Sequence, residues 1–291
     1  MRKIVSRHLV VDGMRIAYQV YGCGEPVVLI HGTPSSSYIW RNVLPQLLDA
    51  GYRVYLYDLL GYGSSERPQD SDVDTSVTGQ VAILENLMES WELFDAHIVA
   101  HDIGGAIAQR FAIECRPRTR SLTLIDTVSF DSWPSKRTRE QMREGLEELE
   151  MKSDREHREH FREWLLSAVH DKKQLIQSSL DVYLDLISGP VGKASFFQHQ
   201  VRHYDSKHTE VIADRLGELG EVPVQLIWGQ DDQWQNVAWA HKLHDAIPGS
   251  LLHILENCGH FAMEDKPEEI GRLLVTFLEE AKPFGRQRQS A

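Results

Sequence analysis

The sequence predicts an α/β protein: a mostly parallel, eight-stranded sheet with helices on both faces and an inserted helical cap. Three observations predict it. Short apolar runs, each β-branched or aliphatic and each ending at a Gly, Asp or His cluster, alternate with helical patterns, as crossover units on a parallel sheet require. The dipeptide Asp12-Gly13 separates two early strands and suits a hairpin turn, because both residues tolerate positive φ. Of the residues between the run closing near Asp126 and the one opening near Val222, roughly 85 carry helical signals, far more than a crossover loop needs.

In chain order, strands are expected at 9–11 and 15–20, either side of Asp12-Gly13, and then at 27–30, 54–57, 97–100, 122–125, 224–228 and 251–255. The stretch 136–164 is dense in Arg and Glu, with Met142, Leu146 and Leu149 at helical spacing, and reads as one solvated amphipathic helix. These elements divide the chain into a core at 1–130 and 216–291 and a cap at 131–215. A chain of 291 residues can bury about three quarters of its unfolded surface, enough for a full core without disulfides or structural metal.

Composition narrows the function classes. A 42% hydrophobic and 25% charged chain is that of an ordinary globular protein with no membrane span, and a net charge of −12 argues against a phosphate-backbone ligand. The expected partner is a small-molecule substrate, with neither nucleic acid nor membrane, and a homodimer is compatible with the sequence. Cys23, Cys115 and Cys258 form no CxxC pair and no secretory framework, which fits a reducing cytoplasm. Arg2 and Lys3 precede only Ile4-Val5 before Ser6-Arg7-His8, so no signal-peptide core is expected. No cofactor and no metal is expected either; Gly61 and Gly63 lack the third glycine of a nucleotide fingerprint and read as a tight turn.

The segment Ala100-His101-Asp102-Ile103-Gly104-Gly105 lies where a strand hands over directly to a helix. Small residues stand two before and two after Asp102, as a strained strand-to-helix elbow demands. At this turn the chain resembles the α/β-hydrolase family, and specifically its branch with His-Asp-x-Gly in place of Gly-x-Ser-x-Gly, which contains epoxide hydrolases and haloalkane or haloacid dehalogenases. Further motifs resemble the family in its order. His31-Gly32-Thr33-Pro34 is similar to its oxyanion loop, Asp58-x-x-Gly61-x-Gly63-x-Ser65 to the turn after the next strand, Trp228-Gly229-Gln230-Asp231-Asp232 to the strand end that carries the acid, and Gly259-His260-Phe261 to the base loop.

The resemblance implies Asp102 as nucleophile, His260 as base and Asp232 as acid, with Asp126 and then Asp231 as alternatives for the acid. Elementary chemistry agrees on the nucleophile. An ordinary aspartate, with a pKa of about 3.9, is ionised at neutral pH and needs no base to attack an sp³ carbon. It forms an alkyl ester, and His260 then deprotonates the water that attacks the ester carbonyl. The oxyanion of that step is met by the backbone N–H groups of Thr33 and Ile103. His31 turns the loop or touches substrate. Cys258 has no elbow of its own and reads as packing.

The leaving group separates the two activities of the branch. An alkoxide from an epoxide wants a proton, which tyrosine supplies, whereas halide wants only N–H donors. The resemblance to typical dehalogenases fails where they carry Trp after the nucleophile and Asn after His-Gly, because Ile103 and Thr33 stand there. Tyr204 resembles the second ring-opening donor of epoxide hydrolases; for the first, His157, His160 and Tyr183 are candidates. Trp164 keeps a dehalogenase open. The order of expectation is epoxide hydrolase, dehalogenase, a hydrolase or lyase of another natural product, and a non-catalytic ligand receptor on the same fold.

Overall fold

The computed structural model describes residues 4–281; Arg2, Lys3 and the basic tail at 286–291 lie outside the described residues. Eight strands, β1 (Arg7–Val11), β2 (Met14–Tyr21), β3 (Pro26–Ile30), β4 (Arg53–Tyr57), β5 (Ala96–His101), β6 (Thr119–Ile125), β7 (Val224–Gly229) and β8 (Leu251–Leu255), form one sheet in the order β1-β2-β4-β3-β5-β6-β7-β8. Only β1 with β2 and β2 with β4 pair antiparallel; every other pair is parallel. Asp12 and Gly13 take φ 50° and 81° in the first hairpin, the left-handed values that a two-residue turn needs. Strands β5 and β7 are buried along their whole length, which is why their sequences are largely apolar on both faces instead of alternating.

Helices α1 (Leu44–Asp49), α2 (Val77–Ser90) and α3 (Ile103–Glu114) precede β6. Between β6 and β7 stand α4 (Lys136–Glu144), α5 (Glu147–Met151), α6 (Asp154–Leu166), α7 (Lys172–Ser178), α8 (Leu180–Ile187), α9 (Gly189–Ser195) and α10 (Lys207–Glu210); α11 (Val237–Ala246), α12 (Ala262–Asp265) and α13 (Pro267–Glu280) complete the chain. The single helix expected over 136–164 is three. Gly145, at φ 95°, ends the first, and a capping box between Ser153 and Glu156 starts the third. The inserted helices pack on loops that follow β4 and β8: Ser195 Oγ donates to the Gly61 carbonyl at 2.8 Å, Thr75 Oγ1 to the His199 carbonyl at 2.7 Å, and the Phe261 N–H to the Ala168 carbonyl at 2.7 Å.

A buried ion pair pins α8 to the sheet side. Arg41 donates from both terminal nitrogens to Glu264, at 2.5 and 2.8 Å, while Tyr183 Oη and Ser179 Oγ donate to the same carboxylate at 2.5 and 3.0 Å. This corrects the expectation for Tyr183, whose hydroxyl is committed to Glu264 and is pushed up by burial and by that neighbouring charge. Arg41→Ala leaves the 3%-exposed Glu264 side chain without its cation, so urea unfolding should show a loss of about 3–5 kcal/mol, the range for a buried pair broken from one side.

Candidate active site

Because β4 and β5 lie on opposite sides of β3, the chain reverses its direction of travel at β3, and the loops after β3 and β5 emerge side by side at a switch point of the sheet. Asp102 turns the chain from β5 into α3 at φ 54° and ψ −123°, strain on the order of 1–3 kcal/mol for a non-glycine residue. Three backbone bonds hold that strain. The Asp102 N–H donates to the Ile125 carbonyl at 3.2 Å, and the Asp102 carbonyl accepts from Gly105 at 3.0 Å and Val128 at 3.3 Å. Glycine is required on both sides: a β-carbon at Gly32 would overlap the Asp102 side chain, and one at Gly104 would overlap the His31 carbonyl.

The buried Asp102 carboxylate has two differently placed oxygens. Oδ1 accepts the Thr33 backbone N–H at 2.7 Å. Oδ2 faces His260 Nε2 at 3.5 Å, an ion-pair separation beyond ordinary hydrogen-bond length. Ile103 opens α3, so its N–H lies among the unpaired donors at the positive end of that helix. His260 Nδ1 donates to Asp232 Oδ2 at 2.8 Å, and Asp232 Oδ1 accepts from the Trp234 and Gln235 N–H groups at 2.7 and 2.8 Å. Burial pushes the imidazolium of His260 down, but Asp232 and Asp102 outweigh it and hold its pKa at about 10.

The alternative acids make other contacts. Asp231 points to the surface and accepts from His170 Nδ1 at 2.7 Å. Asp126, at φ 44°, accepts the Gly229 N–H at 2.8 Å and so ties β6 to the end of β7. Burial, then the charge of Asp232, raises the Asp126 carboxyl well above the usual range. Burial likewise pushes up the Cys258 thiol.

His31 takes the loop-turning one of its two expected roles, and His157 is placed away from the cavity. His31 donates from Nδ1 to the Gly32 carbonyl and accepts the Leu59 N–H on Nε2, both at 2.9 Å; burial pushes its pKa down, and the neutral ring ties the β3 loop to the β4 loop without facing substrate space. His157 is buried against Phe161 and donates from Nε2 to the Ile187 carbonyl at 2.7 Å, its pKa lowered by burial. Its proton is committed to a backbone acceptor inside the helical layer.

Tyr204 and Trp164 do reach the site. A cavity of about 400 Å³ is lined by Asp102, Thr33, Tyr204, Trp133, Trp164 and Trp234, among others. A smaller apolar space of about 50 Å³ adjoins it, sharing Tyr204 and Trp164 and walled by Phe161, Phe196, Phe197 and His160. The Tyr204 hydroxyl stands 2.5 Å from Thr33 Oγ1, and its ring meets Trp133 at 4.7 Å. Trp234, which sequence reasoning missed, is the hinge of the arrangement: it stacks on Trp164 at 4.5 Å and 10° and lies 4.9 Å from the His260 ring. Its place two residues after Asp232 was the available signal, because the turn that presents Asp232 also presents Trp234.

Several named proteins are similar to this chain. A 2-hydroxy-6-oxo-6-phenylhexa-2,4-dienoate hydrolase of Comamonas testosteroni is 28% identical, over 90% of this chain and 91% of its own. A cis-3-alkyl-4-alkyloxetan-2-one decarboxylase of Shewanella oneidensis is 25% identical, over 95% and 89%. An α/β hydrolase fold protein from Burkholderia ambifaria, solved by crystallography, superposes with a TM-score of 0.82 at 28% identity, covering 93% of this chain and 97% of that one. The model of the alpha/beta hydrolase fold family matches residues 25–267, and the chain belongs to that family.

Proposed function

We propose that this chain is an epoxide hydrolase with Asp102 as its nucleophile. The carrying observation is a carboxylate at the elbow, one oxygen held by the Thr33 N–H, in a cavity that Tyr204 also lines. Oδ2 of Asp102 bonds to a ring carbon, the C–O bond of the epoxide breaks, and the ring oxygen takes the electron pair together with the proton of Tyr204. The proton that His260 no longer retains once Asp102 is esterified returns to Tyr204 through solvent. Neutral His260 then deprotonates a water that attacks Cγ of Asp102, and the charge develops on Oδ1 between the Thr33 and Ile103 N–H groups. Collapse expels the diol, which takes its proton from His260; the new carboxylic acid returns a proton to the histidine. The Shewanella relative, named for a strained four-membered oxygen ring, supports a ring-opening reaction by chemical analogy.

Trp164 in the same cavity favours a second reading, halide displacement from an alkyl carbon. Paired rates separate the two. For epoxide opening, Tyr204→Phe should slow ester formation by roughly 10²-fold, the scale for one positioned proton donor, while Trp164→Phe matters less. Rapid bromide release from a bromoalkane that collapses in Trp164→Phe and ignores Tyr204→Phe would establish the second reading instead.

A further inference from the structure

We infer that Asp265 is a positioning residue for His260: its carboxylate clasps the connection between α6 and α7, at 167–171, to the base loop, and so sets where the imidazole stands. This rests on the epoxide reading above, in which His260 is the base of ester hydrolysis. Three backbone N–H groups meet on the one side chain. Asp265 Oδ2 accepts from Gly259 at 2.8 Å and from His170 at 2.7 Å, and Oδ1 accepts from Asp171 at 3.0 Å. Gly259 stands directly before His260, whereas His170 and Asp171 lie just before α7, so one carboxylate joins segments that the sequence keeps far apart.

The same connection reaches the acid loop on either side of Asp232. Trp234 Nε1 donates to Ser167 Oγ at 2.9 Å, and His170 Nδ1 meets Asp231 Oδ2 at 2.7 Å. On the base side, the Phe261 N–H donates to the Ala168 carbonyl at 2.7 Å, and a β-carbon on Gly259 would overlap that carbonyl and the Val169 backbone. Residues 167–171 are therefore a strut between the two loops that must meet where His260 Nδ1 and Asp232 Oδ2 lie 2.8 Å apart. The core holds the base loop by its carbonyls: His101 Nε2 donates to that of His260, and the Asp231 N–H to that of Cys258, both at 2.9 Å. The N–H groups either side of His260 instead depend on Asp265 and Ala168. Without the carboxylate, the Gly259 N–H loses its acceptor and the strut loses two of its ties. Proton transfer from water needs hydrogen-bond reach, so a small displacement of the ring acts on that step. Attack by Asp102 is supported by the Thr33 N–H and the elbow's backbone bonds, none of which involves Asp265.

The test separates the two chemical steps with styrene oxide, each followed by rapid quench and intact-protein mass spectrometry. Asp265→Ala should slow decay of the Asp102 ester by roughly 10- to 10²-fold, the scale for a catalytic group displaced by about 1 Å. Ester formation should stay within about twofold of the parent, as for an independent site. Asp265→Asn, which keeps one oxygen as acceptor, should recover part of the lost rate, and it carries the same comparison should Asp265→Ala not fold. In a His260→Gln background the ester decays without the base, so adding the Asp265 substitution should leave that decay unchanged. A purely structural role would lower both steps together. Ester decay equal to the parent's in the folded variant, equal slowing of both steps, or further slowing in the His260→Gln background each overturns the inference while the epoxide reading stands. Absence of any Asp102 ester from styrene oxide in the His260→Gln background overturns both.

Discussion

On the proposed reaction, Asp102→Ala should abolish turnover, lowering kcat/KM by on the order of 10⁴-fold or more, because it removes the group that forms the covalent intermediate. Neighbouring Asp126 cannot substitute: it is buried, holds the Gly229 N–H, and carries a carboxyl raised well above the usual range. The fold should survive, since the contacts that tie residue 102 into the sheet are made by its N–H and carbonyl, not its side chain. Circular dichroism and urea unfolding of the variant check this. A second signature accompanies the loss. Removing the Asp102 charge takes away part of what holds the proton on His260, so the His260 pKa, followed by NMR, should fall below its value in the parent. Activity within a few-fold of the parent would exclude a carboxylate nucleophile at this turn.

The elbow, the acid loop and the base loop were legible because each is a local solution to a local problem. A strand that must turn sharply into a helix needs small neighbours, and Gly32 and Gly104 stand where a β-carbon would overlap the turn. Asp232 was preferred to Asp231 from its place three residues after Gly229. Both follow Gly229, and the one-residue difference decides whether a carboxylate meets His260 or the surface. The helices between β6 and β7 were legible as an interval and not as a site. A histidine, tyrosine or tryptophan on a helix has the same spacing whether it faces substrate or packs, and the choice depends on which neighbour takes its polar atom. Glu264 takes Tyr183, the Ile187 carbonyl takes His157, and Thr33 takes Tyr204. None of those partners is within 25 residues in sequence. The broken helix over 136–164 follows the same rule, because Gly145 at positive φ outweighs an apolar period that runs through it.

His260→Gln should trap the reaction halfway, with one ester per chain accumulating on Asp102, because attack by a carboxylate needs no base while hydrolysis of the ester does. The loss in steady-state rate should again approach 10⁴-fold. The pH dependence of the parent provides the sign. In the free protein the charges of Asp232 and Asp102 overcome burial and hold the His260 pKa at about 10, so at neutral pH the ring carries a proton and cannot yet act as base. Forming the ester neutralises Asp102 and leaves Asp232 as the one supporting charge, which moves the pKa down while burial continues to oppose the charged form. On the proposed reaction, the imidazole therefore becomes a base only after the first step has occurred, which keeps water from being activated before there is an ester to attack. Rapid-quench measurement of ester hydrolysis should show a rate that rises with pH and levels off at a midpoint below 10. Ester formation should show no such rise, since the Asp102 carboxylate needs no deprotonation by His260. A hydrolysis rate that is flat with pH, or an ester that decays as fast in His260→Gln as in the parent, would remove His260 from the role of base.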